Sequence, residues 1–429
     1  MTEETKKQNV GILNWWWNSN RGAILTCYAI YELVKEFGHN PLVIKHIPYD
    51  YYNTEYKNSI SEKFAEKYLK TTKWCHSRID MRTLNDELDT FMVGSDQVWR
   101  HELNWFLQDF YYLNFVELSK KKISCAASFG VPEFNGNNTL KTMVKYYFSR
   151  FDHISVREKE AVSLLKETFG TSGTFILDPV FLIDKKKYDN IIKNCSIKTE
   201  ENILAYYFIY PSEKKNKILY DLCKQQNLKP INLKEKGLDV ETWLYYIKKA
   251  KFVVSDSFHA SSFSVIFNKK FVTLYDGVKD SRFATLENIC SLEHRFIKTS
   301  NYTKQTKEKI TLDENWEYIE KNLEPLKEFS INWLKFAIND DSLRKITSEQ
   351  EILESFYASV DDRLNYLEGK TTEINLLNQR VEKLELQKDK NLILRNYYKY
   401  KILSILTKKE KYKTQAHHYH EKVRKLRTK

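Results

Sequence analysis

Short apolar runs ending in small or polar residues alternate with amphipathic helical stretches, and they do so twice along the chain. NVGILNW reads as a strand, AILTCYAIYELVKEFG as a helix closed by Gly38, and PLVIKHI as the next strand. FMVGS, KISCAASFG and HISV follow, separated by helical stretches such as TLKTMVKYYFSRF and EKEAVSLLKETFG. A near-continuous apolar strand needs cover on both faces, and crossover helices supply it, so the pattern predicts parallel βαβ units. FILDPVFLI reads as a closing strand with a proline turn, and the Lys-rich stretch from Lys185 to Glu200 as a linker. The pattern then restarts with NILAYYFIY, KILYDLCKQQN, KPINL, TWLYYIKKA, FVVSDSF, SSFSVIFN and KFVTLYDG. The expectation is an α/β protein with one Rossmann-like domain over 1–190 and a second over 200–350. Helical residues from 310 to 350 are expected to pack back on the first domain. From 351 to 429 a helical segment follows, with Ile374, Leu377, Val381 and Leu384 on heptad positions for little more than two heptads.

The net charge of +12 suggests a nucleic-acid binder until its location is considered. Residues 390–429 hold 13 Lys and Arg against Glu410 and Glu421, a net of +11, which leaves +1 for everything before them. The basic character therefore belongs to a tail, and the case for an extended nucleic-acid surface falls away. Six cysteines stand alone, with Cys27 and Cys125 inside apolar runs, and no CxxC pair or ligand cluster predicts a metal site. The start of the chain lacks an apolar signal core behind a basic stretch, and no run reaches the roughly 20 apolar residues of a membrane span. The expected location is the cytoplasm.

In open parallel sheets, ligands bind beyond the carboxyl ends of the strands. The unusual polar residues fall there: Asn14, Asn18, Asn20 and Gly22 after the first strand; Ser95, Asp96 and Gln97 after FMVG; Ser128 and Gly130 after ISCAA. Arg157 and Glu158 follow HISV, and Ser255, Asp256, Ser257 and His259 follow FVV. Each has a plainer reading. Asp96, Ser95 and Ser128 suit helix caps, Arg157 a surface ion pair, His259 a core histidine, and the run Trp15, Trp16, Trp17 packing as readily as a sugar platform. Taken alone, spacing and composition indicate a two-domain α/β enzyme.

At these same positions the sequence resembles the polysaccharide pyruvyltransferase family. The matching segments are NSNRGAILTCYAIYEL, FMVGSDQVW, ISCAASFG, ISVREKEAVSLLKETFG, ILDPVFLI and WLYYIKKAKFVVSDSFHASSFSVIFNKKFV, in the family's order. The resemblance implies a fold similar to GT-B glycosyltransferases, two Rossmann-like domains facing a cleft. It implies phosphoenolpyruvate as donor, no cofactor, and a saccharide acceptor of a cell-surface polysaccharide or its lipid-linked precursor. It carries donor contacts onto Arg157, His259 and Asp96. Some members have Arg-Leu-His where this chain has Ser257-Phe258-His259, so Arg282, or a lysine such as Lys269 or Lys270, is expected to supply the missing cation beside Ser257. The loop holding Asn18, Asn20 and Gly22, together with Ser95 and Ser128, is the expected acceptor side.

These expectations assign His259 as general acid or phosphate contact, Asp96 as acceptor of a hydroxyl proton, and Arg157 as stabiliser of phosphate and carboxylate charge. The competing readings are a GT-B glycosyltransferase using a nucleotide sugar, for which the second domain offers no clear acidic ribose contact, and a non-catalytic scaffold in polysaccharide assembly. In the tail, Leu394, Tyr398, Ile402 and Ile405 share one helical face beside basic residues. That pattern predicts peripheral attachment to an anionic membrane at its cytoplasmic face, with a helix completing a homo-oligomer as the alternative.

Overall fold

In the computed structural model, β1 (Asn9–Leu13) is buried at four consecutive residues, which only a strand covered on both faces permits. The structure describes residues 6–16, 20–47, 58–102, 108–195, 197, 201–235, 238–277, 279–340 and 342, then 390, 392–393, 396–397, 399–401 and 410–427. Residues 1–344 form one unit and 345–429 another.

Within the first unit, β1, β2 (Asn40–His46), β3 (Thr71–Cys75), β4 (Thr90–Val93) and β5 (Lys121–Ser124) make a parallel sheet in the order β3-β2-β1-β4-β5. The chain continues past β5 to bridge Ala127 with Val156 of β6 (Ser155–Val156), which pairs with β7 (Thr174–Phe175). A second parallel sheet has the order β12-β11-β10-β8-β9, from β8 (Ile203–Tyr207), β9 (Lys229–Asn232), β10 (Phe252–Ser255), β11 (Lys270–Tyr275) and β12 (Phe296–Lys298). Both orders reverse direction beside the first strand of the sheet, the point where a crevice opens between diverging crossovers.

The described helices of eight or more residues in this unit are α1 (Arg21–Glu36), α2 (Ile60–Tyr68), α3 (Asn138–Ser149), α4 (Lys159–Phe169), α5 (Lys185–Ile192), α6 (Glu213–Gln226), α7 (Val240–Lys249), α8 (Phe258–Ile266), α9 (Ser281–Cys290), α10 (Lys304–Thr311) and α11 (Trp316–Asn339). Ile24, Leu25, Ile30, Leu33 and Val34 of α1 are wholly buried, each contributing roughly 1.5–3 kcal/mol relative to exposure. α1 also meets the second sheet's layer, where Arg21 Nε donates to the Leu238 carbonyl at 2.9 Å. Beside it Lys67 pairs with Glu241 at 2.8 Å.

The linker expected over 185–200 begins as α5. Asp184 caps it by accepting from the Lys186 N–H, and Tyr188 and Ile191, one turn apart, are buried. Lysines on its outer face hid the apolar stripe. β3 escapes the apolar pattern altogether because it is an edge strand of Thr, Lys and Trp with little full burial.

α11 lies against the first sheet. The Ile338 carbonyl accepts from Gln8 Nε2 at 3.2 Å and Lys121 Nζ at 2.6 Å, and Ser330 Oγ accepts from the Leu177 N–H at 3.1 Å.

In the second unit the described helix is α12 (Glu410–Arg427). The heptad positions Ile374, Leu377, Val381 and Leu384 lie outside the described residues, as do Leu394, Tyr398, Ile402 and Ile405. Among the described residues, no helix is long and apolar enough to cross a membrane.

Candidate functional site

Arg157 leaves the carboxyl end of β6 with its guanidinium almost wholly buried, among carboxylates from three different loops. Nη1 donates to Asp178 at 2.7 Å and Ser95 Oγ at 3.2 Å, Nη2 donates to Asp96 at 3.3 Å, and Nε lies 3.9 Å from Glu158. Ser95 Oγ in turn donates to Asp178 at 3.0 Å. The surface ion pair that Arg157 could have been is thus a buried network.

Asp96, Ser95 and Ser128 are not helix caps, because no helix begins after GSD or after ISCAA among the described residues. Asp96 Oδ1 accepts from the Gln97 N–H at 2.8 Å as well as from Arg157 Nη2. Ser128 donates to Glu158.

His259 arrives from the opposite domain, as the second residue of α8. Its Nε2 is 2.9 Å from Thr26 Oγ1 of α1, and that hydroxyl also donates to the Gly22 carbonyl at 3.0 Å. The hydroxyl has one proton, already committed to the carbonyl, so the neutral imidazole donates from Nε2 and keeps its lone pair on Nδ1. Burial pulls the imidazole down to about 4, against the opposing pull of Asp178 and Asp96. His259 is therefore neutral at neutral pH.

Gly22 explains itself here. A Cβ at that position would stand 2.4 Å from His259 Nδ1 and 2.7 Å from its Cβ, so the ring packs on bare backbone. Gly22→Ala is expected to cost about 1–3 kcal/mol through overpacking and to lower turnover at least about tenfold by displacing His259. Urea unfolding and steady-state rates check this, and an unaltered rate would show that His259 need not sit where it does.

Phe258 joins the two domains electrostatically. The Arg157 guanidinium carbon is 4.9 Å from its ring centre and that of Arg282 is 5.7 Å away. Arg282 is held by Asp280, with Nε at 2.9 Å and Nη2 at 2.6 Å from its two oxygens. Of the cations expected to stand in beside Ser257, the structure brings Arg282. Lys270 does not come near, since it opens β11 at the far end of the strand and bonds the Thr311 carbonyl and Asp313. Lys269 precedes it at that same end and lies near Lys248 and Lys249.

Two helix ends face this cluster. α4 follows Glu158 and α8 follows Ser257, and neither has a side-chain cap. Every other described helix of eight or more residues in the first unit is capped by a side chain, from Asn20 on α1 to Asn315 on α11. Uncapped N–H groups with a positive dipole end are suited to an anion.

Asn20 is thus a cap, accepting from the Ala23 N–H at 3.2 Å, and Asn18 lies outside the described residues. Asp256 serves its own domain, accepting from the Ile209 and Tyr210 N–H groups and from Lys215 at 2.7 Å. Trp16 is core, 1% exposed.

Sequence reasoning missed Thr26, Asp178 and Asp280. Asp178 had a signal, an acidic residue placed between the apolar FIL and a proline. Burial would raise its carboxyl, but Arg157 and His259 hold it below the ordinary value. Among the described residues, no group of three or more His, Cys, Asp or Glu could hold a metal ion.

No curated protein matches this chain significantly. Among solved structures, a UDP-N-acetylglucosamine 2-epimerase candidate from Listeria monocytogenes is similar at 12% identity and a TM-score of 0.50, over 80% of this chain and 100% of that one. The UDP-GlcNAc 2-epimerase from Neisseria meningitidis bound to UDP-GlcNAc is similar at 10% identity and a TM-score of 0.47, over 77% and 99%. At such identities the likeness is one of fold, and the fold is GT-B. The sequence profile described as polysaccharide pyruvyl transferase matches residues 20–276, spanning Arg157 with its carboxylates, His259, and Gly22 at the start of α1. The chain belongs to the polysaccharide pyruvyl transferase family, a family of transferases.

Proposed function

We propose that this protein moves the pyruvyl group of phosphoenolpyruvate onto two hydroxyls of a sugar, forming a ketal on a cell-surface polysaccharide or its lipid-linked precursor. The observation that carries the reading is Arg157, buried where two uncapped helix ends meet, with Arg282 against the same aromatic ring. Phosphoenolpyruvate bears a phosphate and a carboxylate, and forked guanidinium groups with free backbone N–H groups fit both.

In this reading the donor exchanges with Asp178 and Asp96 for Arg157, and Arg282 neutralises the second anionic group. Neutral His259, with its lone pair on Nδ1, orients the phosphate by accepting a hydrogen bond from its singly protonated form. Asp96 accepts the proton of the first attacking hydroxyl, which adds to the carbon bearing the phosphate. The second hydroxyl displaces phosphate from the same carbon. The chemistry calls on side chains and backbone, with neither a metal nor a nucleotide. Incubation of the full chain with phosphoenolpyruvate and lipid-linked oligosaccharides should release phosphate only when both are present. Consumption of a nucleotide sugar without phosphate release from phosphoenolpyruvate would reject the reading in favour of glycosyl transfer.

The basic tail supports attachment at an anionic membrane surface, where a lipid-linked acceptor is presented; each basic residue near such a surface contributes about 1 kcal/mol. Sedimentation with anionic vesicles is expected at low salt, reversed at high salt, and lost when the chain ends at Asp389. Salt-independent binding, or equal binding without the tail, would remove the tail from this role.

A further inference from the structure

Ketal formation begins with a proton delivered to the methylene carbon, and His259, neutral and tied to Thr26, does not carry one to give at neutral pH. Glu158 is the remaining acid. It is 1% exposed, Ser128 donates to its Oε1, and its Oε2 is buried with no hydrogen-bond partner among the described residues. A buried carboxylate oxygen without a donor is costly, and the neutral carboxylic acid costs less there than the charged form. The position is also the first residue outside α4, at one of the two uncapped helix ends.

We propose that Glu158 is the acid that protonates the methylene carbon of phosphoenolpyruvate, an assignment resting on the pyruvyl-transfer reading. The π electrons of the double bond take the Glu158 proton, making a methyl group and leaving positive charge on the neighbouring carbon, shared with its oxygen. The first hydroxyl oxygen bonds to that carbon while its proton passes to Asp96. Phosphate leaves with its bonding pair as the second hydroxyl adds, and the proton of that hydroxyl leaves with the phosphate. Transfer of a proton from Asp96 to Glu158, directly or through solvent, restores the acid. No oxidant or reductant enters the balance.

Burial favours the protonated form before the donor binds. The charged groups around Glu158 are Arg157 beside it and, from the other domain, Arg282 and Asp280. Asp96, Asp178 and His259 surround Arg157 in turn. Four carboxyls thus face two guanidinium groups before any donor binds. Burial pushes the Glu158 carboxyl up to about 7, against the pull of Arg157, Ser128 and Arg282. A donor with a phosphate and a carboxylate adds further negative charge beside it and holds the proton more firmly.

The test follows deuterium. The full chain is incubated in heavy water with phosphoenolpyruvate and glycerol as a minimal diol. Deuterium entering the methylene of the donor or the methyl of the product is read by nuclear magnetic resonance across the pH range. Entry should fall about tenfold per pH unit as Glu158 loses its proton, with the limb placed above the free protein's value of about 7 by the bound donor. Glu158→Gln, which resembles the protonated acid in shape, should slow entry at least ~100-fold and abolish that limb. It should still bind phosphoenolpyruvate in equilibrium dialysis within about threefold of the parent. Ser128→Ala removes a bond favouring the charged carboxylate, so the limb should move to higher pH. Near-normal entry in Glu158→Gln, or a limb that persists in it, overturns the assignment. Binding of phosphoenolpyruvate by the parent without deuterium entry overturns the protonation step. No binding by the parent brings down the pyruvyl-transfer reading itself, and this assignment with it.

Discussion

Arg157→Ala should lower turnover at least ~100-fold and destabilise the protein by about 3–5 kcal/mol, the scale for removing one partner of a buried ion-pair network. Asp178 at 2.7 Å and Asp96 at 3.3 Å would keep their charges with no guanidinium between them. The stability cost should depend on pH. Arg157 holds Asp178 below its ordinary value despite burial, so the pair's contribution is full above the unfolded carboxylate's pKa and is lost as pH falls through the folded one. The difference between parent and variant should therefore shrink in acid. Arg157→Lys keeps charge but loses the fork that reaches Asp178 and Asp96 together, and should recover more stability than turnover. Urea unfolding at neutral and acid pH, with rates alongside, checks both parts. A variant with normal turnover would place the chemistry elsewhere.

His259→Ala is the second large effect, a loss of at least ~100-fold in turnover with the fold retained, since the proposed donor would lose its contact with the neutral imidazole. The change also cuts the 2.9 Å contact with Thr26 that joins the two domains beside Gly22. The pH signature is distinctive. The folded imidazole sits near 4, below its unfolded value, so its contribution to stability is present above the unfolded pKa and lost as pH falls toward about 4. His46, also buried and near 4, loses stability in the same window. Thermal midpoints should drop below about pH 6.5 in the parent and drop less in His259→Ala. A variant that turns over normally, or melts with the parent's full acid sensitivity, would contradict this placement.

The two sheets were legible in the sequence because buried parallel strands must be apolar at successive residues, as Val10 to Leu13 and Phe252 to Val254 are. β3 and α5 were not, because an edge strand and a solvent-facing helix expose the residues that mask their buried ones. For the site, strand-end position was enough to find Arg157, Asp96, Ser95 and His259, which the fold brings together. Thr26 was invisible, since a threonine inside an apolar helix announces nothing until a residue 233 positions later lies on it. Glu158 was visible as a polar strand end, but its buried oxygen, without a hydrogen-bond partner among the described residues, shows only in the fold.

The chain crosses between the two halves of the first unit twice on one side: at α5 after Pro179, and again where α11 leaves the second sheet's neighbourhood and docks at Leu177, Gln8 and Lys121. Near these crossings Lys185 reaches Glu320 of α11 at 3.7 Å, and Asn268 bonds the same carboxylate at 3.0 Å. The halves also meet at Arg21–Leu238, Lys67–Glu241 and Thr26–His259. Of these contacts, Thr26–His259 is the one made by residues of the candidate site. A parting of the halves at that contact would draw His259 off Gly22 and Thr26 together, so the closure of the halves and the assembly of the candidate site rest on the same side chain.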